Sequence, residues 1–278
     1  MFSIIKSHQV RIFLILITLL ATSCTEDQAE EFSPKPEAQK TLKIMALGNS
    51  ITQGSAENPS YRYQLWRMLV DAELNFEYVG SLDTNWDRAA AGTEHGADVA
   101  SPAMGEVYKG KTFNNKHEGH WGWTLQETLY GKKNPTPYKR DKGKLSEWLQ
   151  GYTPDVVLMH LGTNDLIHSQ PLDSTISKVE RVVNQLRADN DGVAIFMAKV
   201  TPIPAQFANV DSSKQYNNLI PKLASRLSTS RSPIIVVDMY TGFNPDTHTY
   251  DALHPNSEGE KLIAKRWFDA IMANKEKL

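Results

Sequence analysis

Cysteine is nearly missing from this chain of 278 residues: Cys24 is the sole example, so no internal disulfide can form and the fold must rest on its core. Long runs of one charge are also missing, and the net charge is −2, which leaves no electrostatic footprint for nucleic acid. There is no G-x-S-x-G, which excludes the strand-to-helix nucleophile elbow. No P-loop and no G-x-G-x-x-G occur, so nucleotide binding is unsupported. The pair of histidines in His117-Glu118-Gly119-His120 is not H-E-x-x-H, lies in a glycine-containing stretch and has no evident third ligand, which argues against a catalytic metal. Internal repeats are absent as well. What remains, 40% hydrophobic and 22% charged residues, describes an ordinary globular protein with a sizeable core.

The N-terminus differs from the rest. Lys6 and Arg11 precede an apolar run, 12–21, that is too short to span a bilayer as a helix, and small residues lead to Cys24. This pattern predicts an export signal over 1–23. Ala21-Thr22-Ser23-Cys24 resembles a bacterial lipobox, which implies cleavage before Cys24 and its acylation, and hence a membrane partnership through a lipid anchor. Several acyl chains together hold stably where one is marginal. Residues 24–40, acidic and carrying two prolines, read as a solvated tether. The expected location is the cell envelope, as an outer-membrane lipoprotein facing the periplasm or the surface.

From 41 to 278 one domain is expected. LKIMAL, FEYVGS, DVVLMHL, VAIFMAKV and PIIVVDM read as five strands whose near-continuous apolar character suits a parallel sheet covered on both faces. Helical patterns fall at 62–73, 142–150, 175–188, 212–227 and 257–274, so strand and helix alternate as in a doubly wound α/β fold. Residues 81–139 show little periodicity and read as one long loop, a feature that is usually functional. In such sheets ligands bind beyond the carboxyl ends of the strands.

Candidate chemistry gathers at those ends. In KIMALGNSITQG, Ser50 follows the first strand, with Gly48 letting the backbone turn. A serine nucleophile needs a base and a group to orient that base. Asp251-Ala-Leu-His254 offers both, three residues apart before the last helix, although Asp251 and Asn256 could equally serve a turn and a helix cap. Asn164, in G-T-N-D after the third strand, could aim an amide at a developing oxyanion, or simply form a turn. Gly122, in G-H-W-G-W-T, could bring a backbone N–H to the same point.

Taken in order, Ser50, Gly122, Asn164 and Asp251/His254 resemble the four blocks of the SGNH hydrolases, also called the GDSL esterase family. The resemblance runs from Lys43 to the last helix. It implies a flavodoxin-like three-layer sandwich with a five-stranded parallel sheet, a Ser50-His254-Asp251 triad, and an oxyanion hole from Ser50, Gly122 and Asn164, with no metal or organic cofactor. LGNSIT, YRYQLWRMLV, FEYVGS and HEGHWGWT are similar to the acetylxylan esterase branch, carbohydrate esterase family three. That branch implies acetylated carbohydrate as substrate and places Arg62 at the serine loop or substrate pocket, while Trp121 and Trp123, which flank Gly122, are the tryptophans expected to contact substrate. Asn49 stands where the family carries aspartate, and Trp121 where relatives commonly carry serine. A lipid esterase or lysophospholipase, and a non-catalytic glycan-binding surface lipoprotein, are the alternative readings.

Overall fold

The computed structural model describes residues 40–90, 96–132, 142–209 and 211–278. Cys24, the export signal and nearly all of the tether lie outside the described residues. The chain opens with β1 (Leu42–Gly48), α1 (Ser50–Gln53), α2 (Tyr61–Asp71) and β2 (Phe76–Val79), then enters short strands: β3 (Thr84–Asp87), β4 (Ala97–Ala100), β5 (Val107–Tyr108), β6 (Lys111–Thr112) and β7 (Glu118–Gly119). After α3 (Leu125–Tyr130) and α4 (Leu145–Trp148) the pattern becomes regular: β8 (Val156–His160), α5 (Thr163–Ile167), α6 (Leu172–Asp189), β9 (Ala194–Lys199), α7 (Ser212–Leu227), β10 (Ile234–Asp238), α8 (Pro245–His248) and α9 (Ser257–Ala273).

All five expected strands form, and they pair in parallel in the order β2-β1-β8-β9-β10. Their apolar residues alternate between the two faces, as a period of two requires. Met45, Leu47, Val157, Met159, Ile195 and Met197 meet α3, α4, α6 and α7. Leu42, Ile44, Val156, Leu158, Ala194 and Phe196 meet α2 and α9 on the other side, where Trp267 is completely buried. Each such aliphatic side chain contributes roughly 1.5–3 kcal/mol by leaving water, so both faces must be covered. The result is a three-layer α/β sandwich.

The stretch 81–139 is not one loop. Among its described residues, β3 pairs antiparallel with β4 and β5 with β6, while β7 joins the main sheet beside β1. β2 pairs the first half of β1, Leu42 to Met45, and β7 pairs its last two residues, Leu47 and Gly48. The chain therefore leaves the sheet after β2 and returns along the same side of β1, next to Ser50. Strands of two to four residues are too short for alternation to show in sequence, and their pairing is settled by distant partners.

Candidate active site

Ser50 is the first residue of α1, directly beyond the carboxyl end of β1. Asn49 caps that helix, its Oδ1 accepting the Ile51 N–H at 3.0 Å, which is a role the family's aspartate could also fill. Gly48 is required for packing: a Cβ there would stand 2.1 Å from Thr52 Oγ1. Gly119 of β7 does the same from the other side, since its Cβ would lie 2.5 Å from Gln53 N. The two glycines let the short helix settle onto the sheet edge, with Ser50 left 6% exposed.

Asp251 and His254 lie in the turn between α8 and α9. The His254 N–H donates to Asp251 Oδ1 at 2.7 Å, the Leu253 N–H donates to the same atom at 3.1 Å, and His254 Nδ1 lies 2.7 Å from Asp251 Oδ2. A carboxylate only accepts, so Nδ1 carries the proton and Nε2 presents its lone pair. Nε2 sits 2.9 Å from Ser50 Oγ. Burial opposes the charge on Asp251, yet the bonds from the His254 ring and backbone prevail and hold its carboxyl at about 2. Two rings lie nearly parallel to the imidazole, Trp121 at 4.5 Å and 17° and Tyr250 at 5.8 Å and 17°.

The loop after β7 is tied to the serine helix. The His120 N–H donates to Gly48 O at 3.1 Å, and the Trp121 N–H donates to Gln53 Oε1 at 2.8 Å. Gly122 follows with φ +72° and nothing within 4 Å of the place a Cβ would occupy, so glycine is favoured there by its backbone angle rather than by crowding. Asn164, in the first turn of α5, donates from Nδ2 to Trp123 O at 2.7 Å and keeps one amide hydrogen for another acceptor. Its neighbour Asp165 accepts the Leu125 N–H at 3.0 Å, and burial pushes its carboxyl up to about 6 against that bond. α5 thus grips the Gly122 loop at two points.

The buried carboxylate Glu118 anchors this loop from below, a role the sequence did not disclose. It accepts from the Tyr152 hydroxyl, from Ser81 N and from Ser81 Oγ at 3.0 Å, and it faces His120 Nε2 at 2.8 Å. His120 stacks on Trp123 at 4.5 Å and on Trp148 at 4.3 Å. His117 accepts the Gly119 N–H on Nδ1, and its Nε2 donates to Thr84 O at 3.0 Å. Among the described residues no group of three or more His, Cys, Asp or Glu is placed to hold a metal ion.

The expected substrate contacts of Arg62 and Trp123 are corrected. Arg62 organises the serine loop, as one of its two expected places had it: fully buried, its guanidinium donates to Thr52 O, Gln53 O and Asn115 and clamps the end of α1. Burial alone draws its pKa down to about 10. Trp123 is 4% exposed and belongs to the core with Trp148, because its apolar ring is worth more beneath the loop than above it. Trp121 remains partly exposed beside His254, with Trp86 stacked 6.4 Å away at 23°. The signal for Trp86 lay in the short strands that the sequence did not reveal.

A nucleophile candidate at a strand end is thus linked through an imidazole to a carboxylate. The model of the GDSL-like lipase/acylhydrolase family matches residues 104–262, a span that includes Asn164, Asp251 and His254. The chain belongs to this family. Among curated relatives of this GDSL-like protein, a multidomain esterase of Ruminococcus flavefaciens is 26% identical over 96% of this chain and 33% of its own length. An arylesterase of Vibrio mimicus is 25% identical over 44% of this chain and 58% of its own. The chain therefore spans less than two thirds of these relatives. Among solved structures, a carbohydrate esterase family 3 protein from Talaromyces cellulolyticus superposes with a TM-score of 0.66 at 25% identity, covering 86% of this chain and 100% of that one. A family 3 carbohydrate esterase from Clostridium thermocellum gives 0.61 at 27% identity over 84% and 96%.

Proposed function

We propose that this GDSL-like protein is a serine esterase that removes acetyl groups from carbohydrate at the cell envelope. The observation that carries the reading is the continuous link Ser50 Oγ, His254 Nε2, His254 Nδ1, Asp251 Oδ2, at 2.9 and 2.7 Å. His254 takes the Ser50 proton as Oγ attacks the ester carbonyl, and Asp251 holds the ring in the tautomer that leaves Nε2 free to accept. The Ser50 and Gly122 N–H groups and the spare Asn164 amide hydrogen receive the oxyanion. Collapse breaks the bond to the leaving alcohol, which takes its proton from His254. Water, deprotonated by the same nitrogen, then releases the acid and restores Ser50.

The acetyl preference rests on size. The recess bounded by Ser50, Ile51, Trp121, Tyr250 and His254 has a volume of about 10 Å³. That leaves room beside Ser50 for about one water-sized sphere, in keeping with a small acyl group. The names of the family 3 relatives support carbohydrate as the leaving group. The test is acetate release from an acetylated xylo-oligosaccharide, set beside p-nitrophenyl acetate and a p-nitrophenyl ester of a long-chain acid. Wild-type protein is expected to cleave both acetyl esters and spare the long chain, and Ser50→Ala to cleave none. Preference for the long chain would turn the reading to lipid esters, and Ser50-independent release would overturn the mechanism. Envelope location rests on the lipobox-like Ala21-Thr22-Ser23-Cys24, with labelled fatty acid expected on wild-type protein in cells and lost in Cys24→Ser.

A further inference from the structure

The recess at Ser50 has no room for a sugar ring, yet a cavity of about 580 Å³ opens one residue further along the same loop. Its volume falls in the range, roughly 300–1,000 Å³, of sites that hold small organic ligands. Gly122 forms part of its wall, as do Thr124, Gln126, Asp165, Gln170 and Lys178. Gly122 is next in the chain to Trp121 of the Ser50 recess, and Asp165 is next to Asn164, so the cavity begins where the candidate oxyanion donors end.

Resting on the esterase reading above, we propose that this cavity is the subsite for the sugar chain that carries the ester, holding the oligosaccharide on the leaving-alcohol side of the reaction.

The lining decides the ligand class. Among the described residues it holds two amides, a hydroxyl, two lysines, a histidine and two carboxylates. Such side chains supply both donors and acceptors, which suits the hydroxyls of a sugar better than an acyl tail. The charges are partly committed already: Lys132 lies 3.2 Å from Glu127, and Glu127 also accepts from Thr124 in the cap of α3. Lys178, on α6, donates to the exposed Ser174 hydroxyl at 2.9 Å and can turn to a ligand hydroxyl. Asp165, 1% exposed, accepts the Leu125 N–H on Oδ2 and so ties this wall of the cavity to the start of α3.

The test uses Gln126→Ala and Lys178→Ala, whose side chains stand on the open rim of the cavity and outside the reacting set. On an acetylated xylo-oligosaccharide the double variant is expected to lose at least about tenfold in kcat/KM, chiefly through KM, as two hydrogen bonds to ligand are removed. On p-nitrophenyl acetate its kinetics should equal wild type. A second measurement needs no turnover: calorimetry of a deacetylated xylo-oligosaccharide with Ser50→Ala protein should show binding, weakened by the same factor in the triple variant. Unchanged KM and unchanged binding in these variants, with Ser50-dependent deacetylation intact in wild type, would overturn the subsite alone. Equal losses on both substrates would also overturn it, by assigning the residues to folding or chemistry. Wild-type protein that cleaves p-nitrophenyl acetate yet neither binds nor deacetylates the oligosaccharide would overturn the subsite together with the carbohydrate reading.

Discussion

At the scale of single residues, Trp121 carries the most specific expectation. Its indole face lies against the His254 imidazole at 4.5 Å, with Trp86 stacked on the indole at 6.4 Å, so it is engaged with the base rather than spread as a platform for sugar. When His254 gains the Ser50 proton, the imidazolium faces the negative side of an aromatic ring, which is worth about 0.5–2 kcal/mol. Trp121→Ala is therefore expected to lower kcat by about 2- to 30-fold on every ester, p-nitrophenyl acetate included, and Trp121→Phe to restore most of it. A loss confined to KM for acetylated oligosaccharide would instead return the residue to substrate binding. Asn164→Ala should cost about 10²- to 10³-fold in kcat, the usual effect of removing one oxyanion donor. Circular dichroism and Tm should be read beside it, because Asn164 also holds Trp123 O.

At the scale of elements, α7 runs from Ser212 through Pro221 to Leu227 without a break. Proline removes one helical hydrogen bond and crowds the preceding turn, at a cost of about 3 kcal/mol in a helix interior. The helix persists because Tyr216, Ile220, Leu223 and Ala224 form a buried stripe against β9 and β10. Pro221→Ala is expected to raise Tm by several degrees and to leave ester hydrolysis unchanged, since α7 meets the site through Tyr216, on Leu161 O and against Gly162, and not through Pro221. A lowered Tm would show that the ring fills space an alanine leaves empty. The same reasoning explains why α7 was legible in sequence at its observed bounds: the apolar period outweighed the proline. The short strands between 81 and 119 had no such period to read, so the stacking of Trp86 on Trp121 and the anchoring role of Glu118 could not be read with them.

At the scale of the molecule, helices α2 and α9, far apart in sequence, pack together and bury Glu260 beside Arg62. Burial raises the Glu260 carboxyl to about 8, with the Ser60 N–H at 2.8 Å and the Arg62 charge working the other way. A raised folded value means that the native state binds this proton more tightly than the unfolded chain does. Its stabilising contribution is therefore complete below the ordinary carboxylate value and is lost as pH rises through about 8. Asp165, raised to about 6, acts in the same direction over a lower window. Glu260→Gln keeps an acceptor for Ser60 and cannot ionise. Thermal melts from pH 5 to 9 are expected to show wild type losing stability relative to this variant toward the alkaline end, and parallel curves would refute the assignment.

Sequence by itself determined the layer architecture, because five apolar strand runs and the helical periods between them are local consequences of burying both faces of a sheet. It also marked Ser50, Gly122, Asn164, Asp251 and His254, since four blocks that are each ordinary alone occur in the order that resembles the SGNH hydrolases. Tertiary structure decided what each neighbour touches. Arg62 and Trp123 went inside, one to clamp the backbone of α1 and the other to fill the core, because a side chain's surroundings depend on elements brought from elsewhere in the chain. Trp121 was turned onto His254, and the large polar cavity was set beside Gly122 by α3, α5 and α6 meeting there. Contacts of that kind are made between distant segments, and no local pattern records them.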